Sequence, residues 1–121
     1  MKFGLFYEIS IPRPWTPEKE RTVYNNCLEQ VKLADELGFD HVWAVEHHFL
    51  EEYSHCSAPE LFLTACAVLT KRIQVGHGIV VCVPEFNHPI KIAPVLREVV
   101  HHLSERSLTR APTDRTHIGE R

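Results

Sequence analysis

The chain has no excess of either charge, no long apolar run, no paired cysteines and no glycine-rich phosphate loop. Each absence removes a class of function. Lys and Arg number 13 against 16 Asp and Glu, a formal net charge of -3. That balance offers no basic field to nucleic acid or to an anionic membrane. No apolar stretch approaches the roughly 20 residues of a membrane span. The opening Met1-Lys2-Phe3-Gly4-Leu5-Phe6-Tyr7-Glu8 has too short an apolar part for a secretory leader and meets an acid at once. Cys27, Cys56, Cys66 and Cys82 are widely spaced, without the close pairs of a zinc knuckle. A reduced, soluble, cytoplasmic chain is expected, its cysteines mostly core filler. Its 121 residues suit one small domain, and 44% hydrophobic with 24% charged residues is an ordinary globular composition.

What is present reads as alternating strands and helices. Residues 2–8 form a nearly continuous apolar run, which fits a strand buried on both faces of a parallel sheet. Two prolines in Ile11-Pro12-Arg13-Pro14-Trp15 make the next stretch a loop. Thr16-Pro17-Glu18 carries a capping hydroxyl, a first-turn proline and an acid for the positive end of a helix dipole. Val23, Tyr24, Cys27, Leu28, Val31, Ala34 and Leu37 then follow helical spacing, and Gly38 sits where a left-handed terminator is wanted.

His41–Val45 is the second strand, followed by the polar cluster Glu46-His47-His48-Phe49. Ser57-Ala58-Pro59-Glu60 has the form of a capping box, ahead of a helix from Leu61 to Leu69 that is apolar nearly all round and so expected to be well buried. Lys71 and Arg72 suit that helix's negative end. Residues 73–83 form the third strand, ended by Pro84. Gly76 and Gly78 flank His77 there and point to a bulge or a close backbone approach. Asn87-His88-Pro89 precedes a third helix with Ile92, Ala93, Leu96, Val99, Val100 and Leu103 on one stripe. The order βαβαβα implies parallel strands with crossover helices. Both a doubly wound sheet and a (β/α)8 barrel begin this way. The absence of G-x-G-x-x-G after the first strand counts against a dinucleotide-binding start.

His47 is the first candidate for chemistry, because it follows the carboxyl end of a strand and imidazole handles protons near neutral pH. Glu46 is expected to orient His47 or to line the same pocket, and His48 to be a structural group bonded to a neighbouring loop. A zinc site from His47, His48, His55 and Cys56 fits no common spacing. Trp43, Cys27, Cys66 and Cys82 read as core, and His77 and His88 as structural.

Phe3-Gly4-Leu5-Phe6, Leu37-Gly38-Phe39-Asp40, Val42-Trp43, Glu46-His47-His48-Phe49, Val75-Gly76 and Asn87-His88-Pro89 together resemble the N-terminal part of the bacterial luciferase-like flavin-dependent monooxygenases. The resemblance implies an α/β fold, the first three βα units of a (β/α)8 TIM barrel, over residues 1–103. It implies reduced FMN, or the deazaflavin F420 in related branches, reacting with O2 and a small organic substrate in a homodimer. It assigns His47 to acid–base steps beside the flavin ring, and Gly78, Ile79 and Val80 to the segment pressed against that ring. Gly78, lacking a Cβ, would permit that approach; a plain bulge in a packed barrel is the competing reading. Phe6 would wall the pocket or fill the core.

Family members continue past the third helix with a Leu-Ser-Gly-Gly-Arg-like turn. This chain reads Leu103-Ser104-Glu105-Arg106-Ser107-Leu108 and departs from that pattern. Codons for Glu-Arg-Ser-Leu, read one base later, can spell Ser-Gly-Arg, which implies a frameshift near Ser104. Residues 104–121 are thus expected to be an irregular tail, out of frame or disordered. Phosphate anchoring in such barrels comes from loops after strands seven and eight, so this truncated chain is expected to bind flavin weakly or not at all and to be inactive alone. The alternatives are a non-catalytic, self-associating fragment and a metal-dependent barrel hydrolase.

Overall fold

The structure is a computed structural model describing residues 1–95 and 97. Its elements run β1 (Gly4–Tyr7), α1 (Pro17–Leu37), β2 (His41–Val45), α2 (Pro59–Leu69) and β3 (Gln74–Ile79), with residues 89–95 forming the start of a third helix, α3. The strands form one parallel sheet in the order β1-β2-β3. Phe6 lies opposite Trp43, and Trp43 opposite Gly76.

Helix α1 begins and ends as its sequence dictates. The Thr16 hydroxyl accepts the Lys19 N–H, Pro17 opens the first turn, and Gly38 closes the helix at φ 93° with its N–H on the last carbonyls. Cys27, Val31 and Ala34 face the sheet, where they meet Tyr7, Val42, Ala44, Val75 and α2 residues Phe62, Leu63 and Cys66. Tyr7 and Phe62 pack edge to face, 5.3 Å between centroids. The Tyr7 hydroxyl donates to the Cys27 carbonyl and the Gln30 side chain. Burial pushes the Cys56 and Cys66 thiols up to about 12, so both act as apolar filler.

The opposite face of the sheet differs from expectation. Phe6 is 56% exposed and Trp43 39% exposed, and Phe3 is also open. Alternation along a strand sends Leu5, Tyr7, Val42 and Ala44 to the helices and Phe6 and Trp43 to the other side. Phe3, Phe6 and Trp43 are left open on that side, so β1 is buried on one face only and Trp43 is not core. Cys82 is likewise exposed, because the strand has ended before it.

Three expectations for α2 are also corrected. The N-cap of α2 is Ala58, which makes no side-chain cap bond; Ser57 stands one position too early to close the box with Glu60. Only one face of α2 is covered, and Leu61, Val68 and Leu69 are exposed. Lys71 and Arg72 serve α1 rather than α2. Their backbone N–H groups, with that of Ile73, donate to the Asp35 carboxylate at 2.8, 2.9 and 2.7 Å, and the Arg72 guanidinium donates to the Phe39 carbonyl. Burial works against charge on Asp35, but these three N–H groups outweigh it and hold the carboxyl below its usual range.

The third strand stops at Ile79, four residues earlier than its apolar run extends. It carries a bulge: Ala44 pairs with His77 and Val45 with Ile79, leaving Gly78 as the extra residue. Helix α3 starts at Pro89, with His88 Nδ1 accepting the Ile90 N–H at 3.2 Å as a cap. The remainder of its stripe (Leu96, Val99, Val100 and Leu103), the boundary at 103 and the tail 104–121 lie outside the described residues.

Two substitutions test this description. Asp35→Ala removes the acceptor of three N–H groups and should destabilise by about 2 kcal/mol. Leu63→Ala, at a fully buried position, should cost about 2–5 kcal/mol, while Leu61→Ala should stay within about 0.5 kcal/mol. Urea unfolding followed by circular dichroism measures all three.

Candidate functional site

The polar residues Glu46, His47 and His48 follow directly on β2, past its last residue Val45. Glu46 is only 6% exposed. Its Oε1 accepts from His48 Nε2 at 2.8 Å and from Asn87 Nδ2 at 2.8 Å, and its Oε2 accepts the Val81 N–H at 2.9 Å. Burial raises the cost of its charge, but the bonds from His48, Val81 and Asn87 hold its carboxyl below the usual range. Glu46 therefore orients His48, not His47. The two do line one open groove of about 330 Å³, with His48, Phe49, Val81 and Phe86. His48 is held by Glu46, two residues back, and by the Phe86 ring, 4.7 Å away and edge-on.

His47 has partners of its own. Its N–H donates to the Cys56 carbonyl at 2.9 Å. Its Nε2 lies 3.5 Å from Glu8 Oε2, and its ring rests 5.6 Å from that of Tyr53. The loops after β1 and β2 are laced together around it. The Ser10 hydroxyl donates to the Tyr53 carbonyl, Ile11 N–H to Glu52 and His55 N–H to Ile9. Ile9, Phe49 and Glu51 all have positive φ. A β-branched residue such as Ile9 adopts that conformation only when its surroundings impose it.

Phe6, Gly78 and Ile79 form a shelf on the uncovered face. The Phe6 ring lies against Gly78, where an added Cβ would come 2.7 Å from Phe6 Cε2. Ile79 is exposed, and its carbonyl accepts the Glu46 N–H at 3.0 Å. Val80 departs from this group and lines a separate cavity of about 240 Å³ with Glu46, His48, Glu60, His77, Asn87 and Lys91.

Sequence reasoning missed Asn87, Glu8 and the setting of His77. Asn87 was read only as part of a helix start, and no local spacing ties it to a carboxylate 41 residues earlier. Both ring nitrogens of His77 are shielded from water without a hydrogen-bond partner. Burial lowers its pKa, opposed by the charges of Glu60 and Glu46. The zinc reading finds no support. Among the described residues no group of three His, Cys, Asp or Glu could hold a metal ion, and His55 is engaged with Glu20 and the Trp15 ring.

Parallel βα units with polar side chains gathered at the carboxyl ends of the strands define the active end of a β/α barrel. The chain belongs to the luciferase-like monooxygenase family, whose family model matches residues 1–99. It is 31% identical over 93 residues to the oxygenase component of the flavin-dependent trigonelline monooxygenase of Acinetobacter baylyi, covering 77% of this chain and 24% of that protein. Its fold matches the crystal structure of monooxygenase RslO1 from Streptomyces bottropensis, with a TM-score of 0.70, 34% identity, and coverage of 88% of this chain and 31% of the other. It also matches the oxygenating constituent of 3,6-diketocamphane monooxygenase from Pseudomonas putida in complex with FMN, with a TM-score of 0.71, 24% identity, and 88% and 28% coverage. The chain thus spans about a quarter to a third of the length of these proteins.

The pH dependence of stability follows from the two shifted groups. His77 titrates near 6.5 when unfolded and lower when folded. Its contribution is complete above about pH 6.5 and is lost as pH falls through the folded value. Glu46, ordinarily near 4.5 and lower when folded, contributes above about pH 4.5 and loses that contribution as pH falls through its folded value. The urea midpoint should therefore fall from pH 7.5 to pH 5, on the order of the His77 window. His77→Phe should flatten that limb and leave the loss below about pH 4.5 in place.

Proposed function

We propose that this chain supplies the first three βα units of a flavin-dependent monooxygenase acting on a small organic substrate with reduced FMN and O2. What supports the reading is His47 just past the carboxyl end of β2, at the same end of the sheet as Gly78 and Ile79 at the carboxyl end of β3. A planar heterocycle needs a flat apolar support with little side-chain relief, and the bare backbone at Gly78 beside the Phe6 ring provides one. The shelf residues Phe6, Gly78 and Ile79 carry no side-chain donor for a phosphate. Arg13, in the loop after β1, is ion-paired with Glu51 and Glu52. These residues therefore fit the ring portion of a flavin and not its phosphate. We accordingly expect the chain alone to bind flavin weakly or not at all and to lack turnover.

Bound reduced flavin would supply the electrons that activate O2. The chain's own part is to support the ring with Phe6, Gly78 and Ile79, to exclude water from that face, and to hold or release a proton at His47. Val80, turned into the separate cavity, would act through the backbone path of this segment. Glu46 would fix that segment's position through Val81 and Ile79. The stated flavin dependence of the trigonelline relative supports flavin over F420 in this reading; a homodimer and a cytoplasmic location belong to the same reading.

A second reading is favoured by the uncovered sheet face, with Phe6 and Trp43 exposed and no described strand on the outer edge of β1 or of β3. A non-catalytic chain with these features would associate with itself or with an intact family member. Size-exclusion chromatography across a concentration series distinguishes it, since a stable monomer with such a face would dismiss it.

The enzyme reading is tested by replacing the matched segment of full-length RslO1 with residues 1–99. The chimera should bind FMN and turn over. His47→Asn in it should lower kcat about 10²–10⁴-fold with flavin affinity nearly unchanged; equal turnover would dismiss the proton-transfer role. FMN and F420 titrations followed by absorbance decide the cofactor.

A further inference from the structure

We propose that Glu8 is the positioning residue of His47: its carboxylate holds the imidazole with the hydrogen on Nε2 and leaves Nδ1 as the atom that exchanges a proton. The inference rests on the reading of His47 as the acid–base group and adds how that group is aimed. Glu8 directly follows β1 and His47 lies two residues past β2, so neighbouring parallel strands deliver both at their carboxyl ends. The two side chains are each about a quarter exposed, and Glu8 Oε2 lies 3.5 Å from His47 Nε2.

Glu8 Oε2 is shielded from water and has no aligned hydrogen-bond donor. A carboxylate oxygen withdrawn from water is costly unless a donor reaches it. The nearby candidate is the His47 Nε2–H, and such catalytic contacts are often long before the ligand closes the site. The other flank is Tyr53. Hydrogen bonding to Glu8, then the charge of Glu8, raises the Tyr53 phenol, and the Tyr53 ring leans on the His47 ring. Carboxylate and phenol thus bracket one imidazole.

The backbone is built to keep this bracket in register. The residue after Glu8, Ile9, turns at φ 54°, and its carbonyl accepts the His55 N–H at 3.0 Å. Ser10 holds the Tyr53 carbonyl at 2.6 Å. These contacts fix the β1 loop to the β2 loop on both sides of His47. An imidazole that keeps its hydrogen on one nitrogen owes this to the acceptor beside that nitrogen.

The test is long-range 1H–15N correlation spectroscopy on the 15N-labelled chain at about pH 8.5, two units above the ordinary imidazole value. The wild-type chain should give the Nε2–H pattern for His47. Glu8→Gln, whose amide oxygen still accepts, should keep it. Glu8→Leu should shift at least half of His47 to the Nδ1–H form while the Tyr7–Phe62 ring contact persists. An Nδ1–H pattern in the wild type overturns the proposal without any variant, as does an unchanged pattern in folded Glu8→Leu. Flavin binding by the chimera reports separately. A Glu8-dependent tautomer in a chimera that binds no flavin would remove the cofactor reading and leave the Glu8–His47 pair standing.

Discussion

A carboxylate almost entirely withdrawn from water must be ringed by donors, and the upper end of this sheet is organised around meeting that demand for Glu46. The donors come from three places in the chain: His48 in the turn after β2, the Val81 N–H in the exit from β3, and Asn87 just before α3. A single side chain therefore ties together the departure of two strands and the arrival of a helix. With Glu46 fixed, His48 is held against it, while His47 finds its contacts at Glu8 and Tyr53 in the neighbouring loops.

The lower end relies on a similar device. Asp35 near the end of α1 receives three consecutive backbone N–H groups from the segment entering β3, so α1 and β3 are clipped together across β2. Helix-facing residues of the sheet then have a settled partner surface in Val31, Leu63 and Cys66. The face bearing Phe6 and Trp43 has none among the described residues. In a family whose solved members close as barrels, that face corresponds to the barrel interior, and its aromatic exposure here follows from the one-sided layer of helices.

Local chemistry was legible in the sequence wherever a local rule governs it. Thr16, Pro17 and Gly38 bound α1 as capping physics requires, and the apolar stripe through Cys27, Val31 and Ala34 marks its buried face. His41–Val45 is the second strand, and the paired glycines announced the bulge. Long-range polar partnerships were not legible. Nothing near Lys71 and Arg72 says that their N–H groups belong to Asp35. Nothing near Asn87 points to Glu46, and Glu8 read as the end of a strand. Helix α2, apolar nearly all round, reads as well buried in the sequence but is covered on one face only; hydropathy reports what a residue tolerates, not what covers it. In the candidate site, His47 is proposed from its place after a strand. Its neighbours Glu8 and Tyr53 carried no signal, since they reach it from separate loops.

The bulge at Gly78 has an effect on how this segment should be read against its relatives. One extra residue reverses odd and even. Up to His77, even-numbered positions look toward the Trp43 side, whereas after Gly78 the odd-numbered Ile79 takes its place opposite Val45. Gly76 and Ile79, three apart, are thus companions on one surface, and Val80 joins His77 on the other. An insertion or deletion of a single residue between positions 74 and 80 would exchange the two sets wholesale. Such a change would carry isoleucine into the helix layer and valine onto the shelf while leaving overall composition untouched.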